Sequence, residues 1–172
     1  VPFVSYVAPL DKADWRARRE EILAIFAREM YGVEPPKPET LITDLVDEKI
    51  TAAGYAVRRQ YKMYFKADRT GPCISWIVWV PRWAKKPVPV VAFLNYRGNH
   101  ELVFDTDIPV QTAWSRAGRK TDGNRASART RGVMQDANSD DTFPLSTILA
   151  RGYAAMSACY CEVSPDPVFN EK

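Results

Sequence analysis

One stretch of the chain gathers residues that could do chemistry. Phe93-Leu94 closes an apolar run, and Asn95-Tyr96-Arg97-Gly98-Asn99-His100-Glu101 follows with a cation, two carboxamides, a carboxylate and the only histidine of the sequence. A strand-length apolar run that ends in this way puts polar groups at the carboxyl end of a buried strand, where open α/β sheets bind their ligands. Gly98 would let the backbone approach a ligand, and backbone amides there could face a developing oxyanion. The alternative is a tight turn around a hydrogen-bonded structural histidine. A serine triad is not completed by these residues. No G-x-S-x-G occurs, and Ser75 and Ser157 lie inside apolar runs without an elbow around them.

Other clusters point to less. Asp136, Asn138 and Asp140 have the spacing of the first calcium-loop ligands, but Asp141 stands where the loop needs Gly and Thr147 where it needs Glu. No metal and no cofactor are expected. Arg116, Arg119, Lys120, Arg125, Arg129 and Arg131 face a single acid, Asp122, between residues 116 and 131. With no aromatic residue interleaved, this reads as a solvated loop ahead of a polyanion-binding surface. Cys73, Cys159 and Cys161 are an odd number and too few for a disulfide framework or a structural zinc site, and they read as small buried hydrophobes.

These residues need elements to position them. The 172 residues make one domain or a piece of a larger one, and 46% apolar with 26% charged residues excludes wholesale disorder. A net charge of +3 is too weak to imply nucleic acid, and no apolar run reaches the roughly eighteen residues of a membrane span. Residues 1–10 read as an extended arm. Asp11 or Asp14 caps a helix over residues 11–30, in which Trp15, Ile22, Ile25, Phe26 and Met30 recur at helical spacing. Gly32 and the prolines at 35, 36 and 38 end it. Residues 41–50 suit an edge strand. Residues 55–65 alternate, with Tyr55, Val57, Tyr61, Met63 and Phe65 as the expected buried face and Arg59 breaking it. The runs 73–80, 88–94 and 154–160 are apolar throughout, as strands covered on both faces are, and residues 146–150 supply a short helix before the last. This pattern predicts an α/β fold with a mostly parallel sheet. Some fifty residues without periodicity separate residue 94 from that helix, a length that compact domains rarely carry without a functional reason.

Three segments together resemble a known family. They are Trp15-Arg16-Ala17-Arg18-Arg19-Glu20-Glu21-Ile22 with Glu29-Met30-Tyr31-Gly32 and Pro35-Pro36; Leu94-Asn95-Tyr96-Arg97-Gly98-Asn99-His100; and Ile148-Leu149-Ala150-Arg151-Gly152-Tyr153-Ala154 with Cys159-Tyr160-Cys161-Glu162-Val163-Ser164-Pro165-Asp166. In this order they resemble the bacterial glucuronoyl esterases, carbohydrate esterase family 15. The resemblance implies the amino-terminal half of an α/β-hydrolase three-layer sandwich with a mostly parallel central sheet. Residues 1–172 would be one portion of a single domain, with an arm and helix over 1–40 and a long cleft-side loop insertion over 101–142. It implies hydrolysis of the ester between lignin alcohols and (4-O-methyl-)glucuronic acid on xylan by a Ser–His–acid triad. The nucleophile elbow and the triad histidine of the family follow the matched region, so no catalytic residue is expected in this chain and both are expected after Lys172. Substrate-binding roles are expected for Arg97, which stands where the family has a small residue, and for Asn99, His100 and Trp114. The expected partners are a glucuronoxylan or other uronate ester and the carboxy-terminal half of the same hydrolase, in the same or a separate chain. Nucleic acid and membrane are not expected, and the location would be secreted or periplasmic. The runner-up is a non-catalytic carbohydrate-binding module using the 101–142 loop.

Overall fold

The computed structural model describes residues 11–34, 36–113, 128–135 and 142–164. Trp114, the cations at 116, 119, 120 and 125, and the acids at 136, 140 and 141 lie outside them. The chain divides into two compact units, Val1–Pro38 and Glu39–Lys172.

In the first unit, α1 (Lys12–Phe26) runs into one wider π turn, Ala27–Tyr31. The Asp11 carboxylate caps it, accepting from the backbone N–H of Ala13 and Asp14 at 2.6 and 2.8 Å. Gly32 ends it at φ 76°. The helix buries none of its apolar stripe within this unit. No described helix is long and apolar enough to cross a membrane.

The second unit is built on five described strands: β1 (Ile42–Thr51), β2 (Ala56–Tyr64), β3 (Cys73–Pro81), β4 (Val90–Asn95) and β5 (Ala154–Cys159), in the spatial order β1-β2-β3-β5-β4. A short helix, α2 (Asn99–Leu102), follows β4, and α3 (Leu145–Ala150) precedes β5. The α/β class holds, but the sheet in this segment is mixed rather than mostly parallel. The pairings β1–β2, β2–β3 and β3–β5 are antiparallel, and only β4–β5 is parallel. The reason is connection length. Residues 65–72 and 82–89 are too few for the dozen or more that a parallel crossover needs, whereas β4 and β5 are joined by the long segment that carries α2 and α3.

The core lies on one face of this sheet. Ile77, Trp79 and Ala155 meet Leu102, Val103, Ile108, Met134, Phe143, Leu145 and Leu149. The Phe143 ring touches Trp79 and Phe93 at centroid distances of 5.6 and 5.3 Å. Four of these residues come from the 101–142 segment, so its described parts are core as much as loop.

The face of β2 that enters this core is the one the alternation marks as polar. Ala56 and Arg58 are fully buried, while Tyr55 is exposed and Val57, Tyr61 and Met63 are half-buried. Arg58 is tolerated there because its guanidinium donates to Asp47 of β1 and to Asp105 after α2. A buried cation without partners would carry a large desolvation penalty, and two carboxylates offset it. Lys49–Asp107 and the Gln60 amide, which donates to the Asp107 carbonyl at 3.1 Å, fasten the same loop to the sheet.

Asp105→Ala leaves the buried guanidinium with one carboxylate. It should lower the unfolding free energy by about 3 kcal/mol in urea titrations. Asp107→Ala, which opens an exposed pair, should leave the midpoint unchanged within error. Equal effects of the two would mean that the burial of Arg58 is not what makes its pairing matter.

Candidate functional site

β4 stops at Asn95, directly opposite Cys159, the last residue of β5. From there the backbone turns sharply. Asn95 Oδ1 accepts from Gly98 N–H at 2.6 Å, and Asn95 Nδ2 donates to Ser157 Oγ and Asn99 Oδ1, each at 2.9 Å. Asn99 Nδ2 donates in turn to the Ser75 carbonyl at 2.8 Å, and Ser75 N–H donates to Glu162 Oε2 at 2.6 Å. A chain of side-chain hydrogen bonds thus crosses from β5 through the turn to the first residues of β3 and the helical turn Tyr160–Glu162. The amide N–H of Gly98 is committed inside the turn and does not face outward as the sequence suggests. Gly98 sits at φ 110°, and a Cβ there would stand 2.9 Å from both Gln111 Cγ and His100 Nδ1. Glycine is required both for the backbone and for the approach of those two side chains.

The structure brings three of the four expected substrate-binding residues into this turn. Arg97 is about one-third exposed and stacks over the Tyr96 ring, 5.4 Å from its centroid. Asn99 is buried and its carboxamide is engaged as described. His100 is completely buried, with Nε2 3.8 Å from Glu101 Oε1. Trp114 lies outside the described residues.

Glu101 is a residue that the sequence offered only as a flanking acid. It is 1% exposed, accepts a hydrogen bond from the Thr130 hydroxyl and lies 3.8 Å from Arg97 Nη1. Burial pushes its carboxyl above the usual range, and Thr130 and Arg97 pull it partly back. Glu162 is shifted the same way by burial, against the pull of Ser75 and Lys62. Burial also pushes the Cys159 thiol up to about 12, as suits a packing residue rather than a nucleophile. No group of three or more potential metal ligands occurs among the described residues.

Beside the turn opens a cavity of about 200 Å³. Its wall is formed by β2 and β3 near Lys62 and Ser75, by Asn99, by residues 108–112 and by Glu162. This is the end of the sheet where β2, β4 and β5 all finish, since β2 and β5 both run antiparallel to β3 and β4 runs parallel to β5. The position agrees with the rule for ligand sites in open α/β sheets. The sequence gives little sign of Gln111 and Glu162 as wall residues. The only available signal was a Gln in an irregular stretch and an acid after an apolar strand.

A raised carboxyl pKa in the fold has a definite sign in stability. Ionisation of Glu101 opposes folding. The penalty is absent well below the ordinary glutamate pKa of about 4.3 and accrues as pH rises from there through the folded value. Glu101→Gln keeps the acceptor for Thr130 and removes the ionisation. Its stability relative to the parent should therefore rise between pH 4 and pH 8 in denaturant titrations, about those bounds. A difference independent of pH would show that burial does not raise the Glu101 pKa.

No family model matches the chain. It is 31% identical over 153 residues to a carbohydrate esterase from an unknown prokaryotic organism, a match that covers 87% of this chain and 34% of that protein. Among solved structures, a glucuronoyl esterase from Solibacter usitatus superposes with a TM-score of 0.76 at 26% identity, over 94% of this chain and 43% of that one. A promiscuous CE15 esterase from a marine bacterial metagenome superposes with a TM-score of 0.79 at 27% identity, over 100% of this chain and 45% of that one. The chain therefore spans between a third and half of the length of these relatives, and over that span its mixed sheet with helices is theirs. By sequence and by fold, the chain is related to the bacterial glucuronoyl esterases of carbohydrate esterase family 15 and corresponds to part of their hydrolase fold.

Proposed function

We propose that this chain is the amino-terminal portion of a serine carboxylic ester hydrolase that cleaves glucuronate esters in lignin–glucuronoxylan. The observation that carries the reading is the turn at the end of β4. It presents a one-third exposed Arg97 at the carboxyl end of a parallel strand pair, in a chain 31% identical to a carbohydrate esterase. A guanidinium there suits a uronate carboxylate, and forked donors recognise carboxylates with charge-assisted hydrogen bonds. Asn99 and His100 are buried in the same turn and hold its shape, and Trp114 would supply a face for a sugar ring. The nucleophile and its histidine come from the carboxy-terminal half of the hydrolase, which also covers β4. That strand has Val90, Val91 and Leu94 near half exposure and pairs only with β5 among the described strands, so it offers an open edge to a further strand. A polymer substrate of this size places the work outside the cytoplasm. No nucleic acid, membrane, metal or cofactor enters the reaction, which is acyl transfer to serine followed by hydrolysis.

Residues 1–172 by themselves should neither turn over methyl glucuronate nor take up a fluorophosphonate label, whereas the complete hydrolase should do both. Turnover by residues 1–172 that His100→Ala abolishes would overturn the placement of the catalytic groups. In the complete hydrolase, Arg97→Ala should raise KM for a glucuronate ester about tenfold and leave a neutral acetyl ester nearly unchanged. Trp114→Ala should raise KM for a polymeric glucuronoxylan ester more than for the small methyl ester. Equal losses on both esters would assign Trp114 to anchoring its loop.

A further inference from the structure

The end of the sheet opposite the turn carries an exposed aromatic pair. Tyr55 precedes β2 and Trp83 follows β3, where Ala56 of one strand pairs with Pro81 of the other. Tyr55 is 63% and Trp83 51% exposed, and the rings meet edge to face with centroids 6.3 Å apart and planes at 82°. Single exposed apolar side chains are ordinary, but two large rings in contact make a patch that marks interaction surfaces. The backbone fixes the pair. Arg82 N–H donates to the Tyr55 carbonyl at 2.9 Å, and the turn before Tyr55 runs through Ala52 and Ala53 at φ 51° and 52°, a left-handed conformation that alanine adopts only at a cost.

The cations beside this pair are unmatched. Lys49, Arg58 and Arg59 of the same hairpin are each paired with a carboxylate, whereas the exposed Arg82, Lys85 and Lys86 form no ion pair among the described residues. Asp68 is the only acid between Glu48 and Glu101 in the sequence, and it lies between β2 and β3 at the other end of the sheet. Asp105, which shares a cavity wall with Thr51 and Ala52, is taken up by Arg58.

We propose that Tyr55, Trp83 and these three cations form a second binding surface for an acidic polysaccharide, with a sugar ring stacked on the aromatic pair and neighbouring uronate carboxylates on the cations. Two rings set perpendicular make an apolar corner that can hold the C–H face of a sugar ring. Lysines are point charges on flexible stems, which suits carboxylates spaced irregularly along a polymer. The choice of a polysaccharide among acidic polymers rests on the carbohydrate role proposed above. The surface adds to that role by holding the chain away from Arg97. It flanks β2 and β3, not the β4 edge offered to the remainder of the hydrolase.

The test measures retention of residues 1–172 in electrophoresis gels containing glucuronoxylan, neutral arabinoxylan or polyglutamate, and binding to vesicles of anionic lipid. Glucuronoxylan should bind about tenfold more tightly than each of the others. Trp83→Ala should weaken that binding about tenfold at any salt concentration. Lys85→Gln with Lys86→Gln should weaken it by a similar factor at about 0.05 M salt and hardly at about 0.5 M. The positions are exposed, so the melting temperature should be retained, and Tyr55→Ala replaces Trp83→Ala if the latter loses its cooperative melt. Arabinoxylan bound as tightly, or an unchanged lysine variant, would remove the cations from the surface. Polyglutamate or vesicles bound as tightly would leave a plain charged patch, and an unchanged aromatic variant would remove the rings. Each of these outcomes overturns the proposal. In the complete hydrolase the same variants should leave turnover of methyl glucuronate unchanged. Polymer binding that depends on Trp83, with no glucuronate ester turned over by the complete hydrolase, refutes only the esterase reading. Turnover without such binding refutes only the second surface.

Discussion

The carboxamide of Asn95 takes over where the β4–β5 ladder ends, and the geometry of the site end depends on it. Backbone groups just past a strand lose their ladder partners, and buried ones must find others. Asn95 supplies an acceptor to Gly98 and donors to Ser157 and Asn99, so one side chain ties the turn to β5 and to α2. Asn99 then passes the connection to Ser75, and Ser75 to Glu162. The start of β3, which extends past the end of its pairing with β5 at Trp76, is fixed in this way on that side and by its ladder with β2 on the other. The direction in which Arg97 leaves the turn follows from these bonds. An apolar residue at position 95 would leave Gly98, Asn99 and Ser157 short of partners together.

Much of this was legible in the sequence and some was not, for identifiable reasons. The Asp11 cap, the Gly32 stop, the edge strand at 42–51, the short helix before β5 and the polar turn after β4 rest on local chemistry, and the structure has them where that chemistry puts them. The buried face of β2 is different. A period of two separates two faces without saying which one meets the core. The choice was made by Asp47 and Asp105, which neutralise Arg58, and Asp105 lies 47 residues further along the chain. No local pattern carries that information. The sheet direction was legible in principle, because the short connections at 65–72 and 82–89 exclude crossovers whatever the hydrophobicity of the strands. Apolar residues on both faces of β3 point the other way, although the structure buries Ile77 and Trp79 and leaves Trp76, Val78 and Val80 half-buried.

The segment after β4 shows why irregular sequence is not the same as a surface loop. Leu102, Val103, Ile108 and Met134 enter the core from the end of α2, from irregular backbone and from a single helical turn, so they produce no sustained period. Their places are held by polar contacts between stretches distant in sequence. Gly132 N–H donates to the His100 carbonyl at 3.0 Å, and a Cβ on Gly132 would lie 2.7 Å from the Phe104 backbone nitrogen. Arg131, one of the six cations that suggest a solvated patch, donates to the carbonyls of Asp105 and Ile108. A guanidinium that gathers carbonyls from a turn is a structural fastener, and the charge count around it said nothing about where its donors would go.

The choice of amides at the turn and ions along the loop has a physical logic. An amide in a buried place satisfies a donor and an acceptor together and carries no charge to desolvate. The Asn95–Asn99 connection therefore keeps its form across the pH range in which carboxylates titrate. The loop at 105–107 is held otherwise. The Asp107 carboxyl is kept below its ordinary range by Lys49, and that of Asp47 by the Gln60 amide and then Arg58. Their folded pKa values are depressed, so such stabilisation as they give, negligible for the exposed Lys49–Asp107 pair, is present above the ordinary carboxylate pKa and is lost as pH falls through the folded values. Buried Glu101 has the opposite sign, gaining nothing from ionisation. Acid thus loosens the ionic fastening of the loop to β1 and β2 while leaving the turn at Asn95 in place. The turn that carries Arg97 is held by amides, with the titratable Glu101 3.8 Å from its guanidinium, whereas the segment after α2 is held by ion pairs that acid weakens.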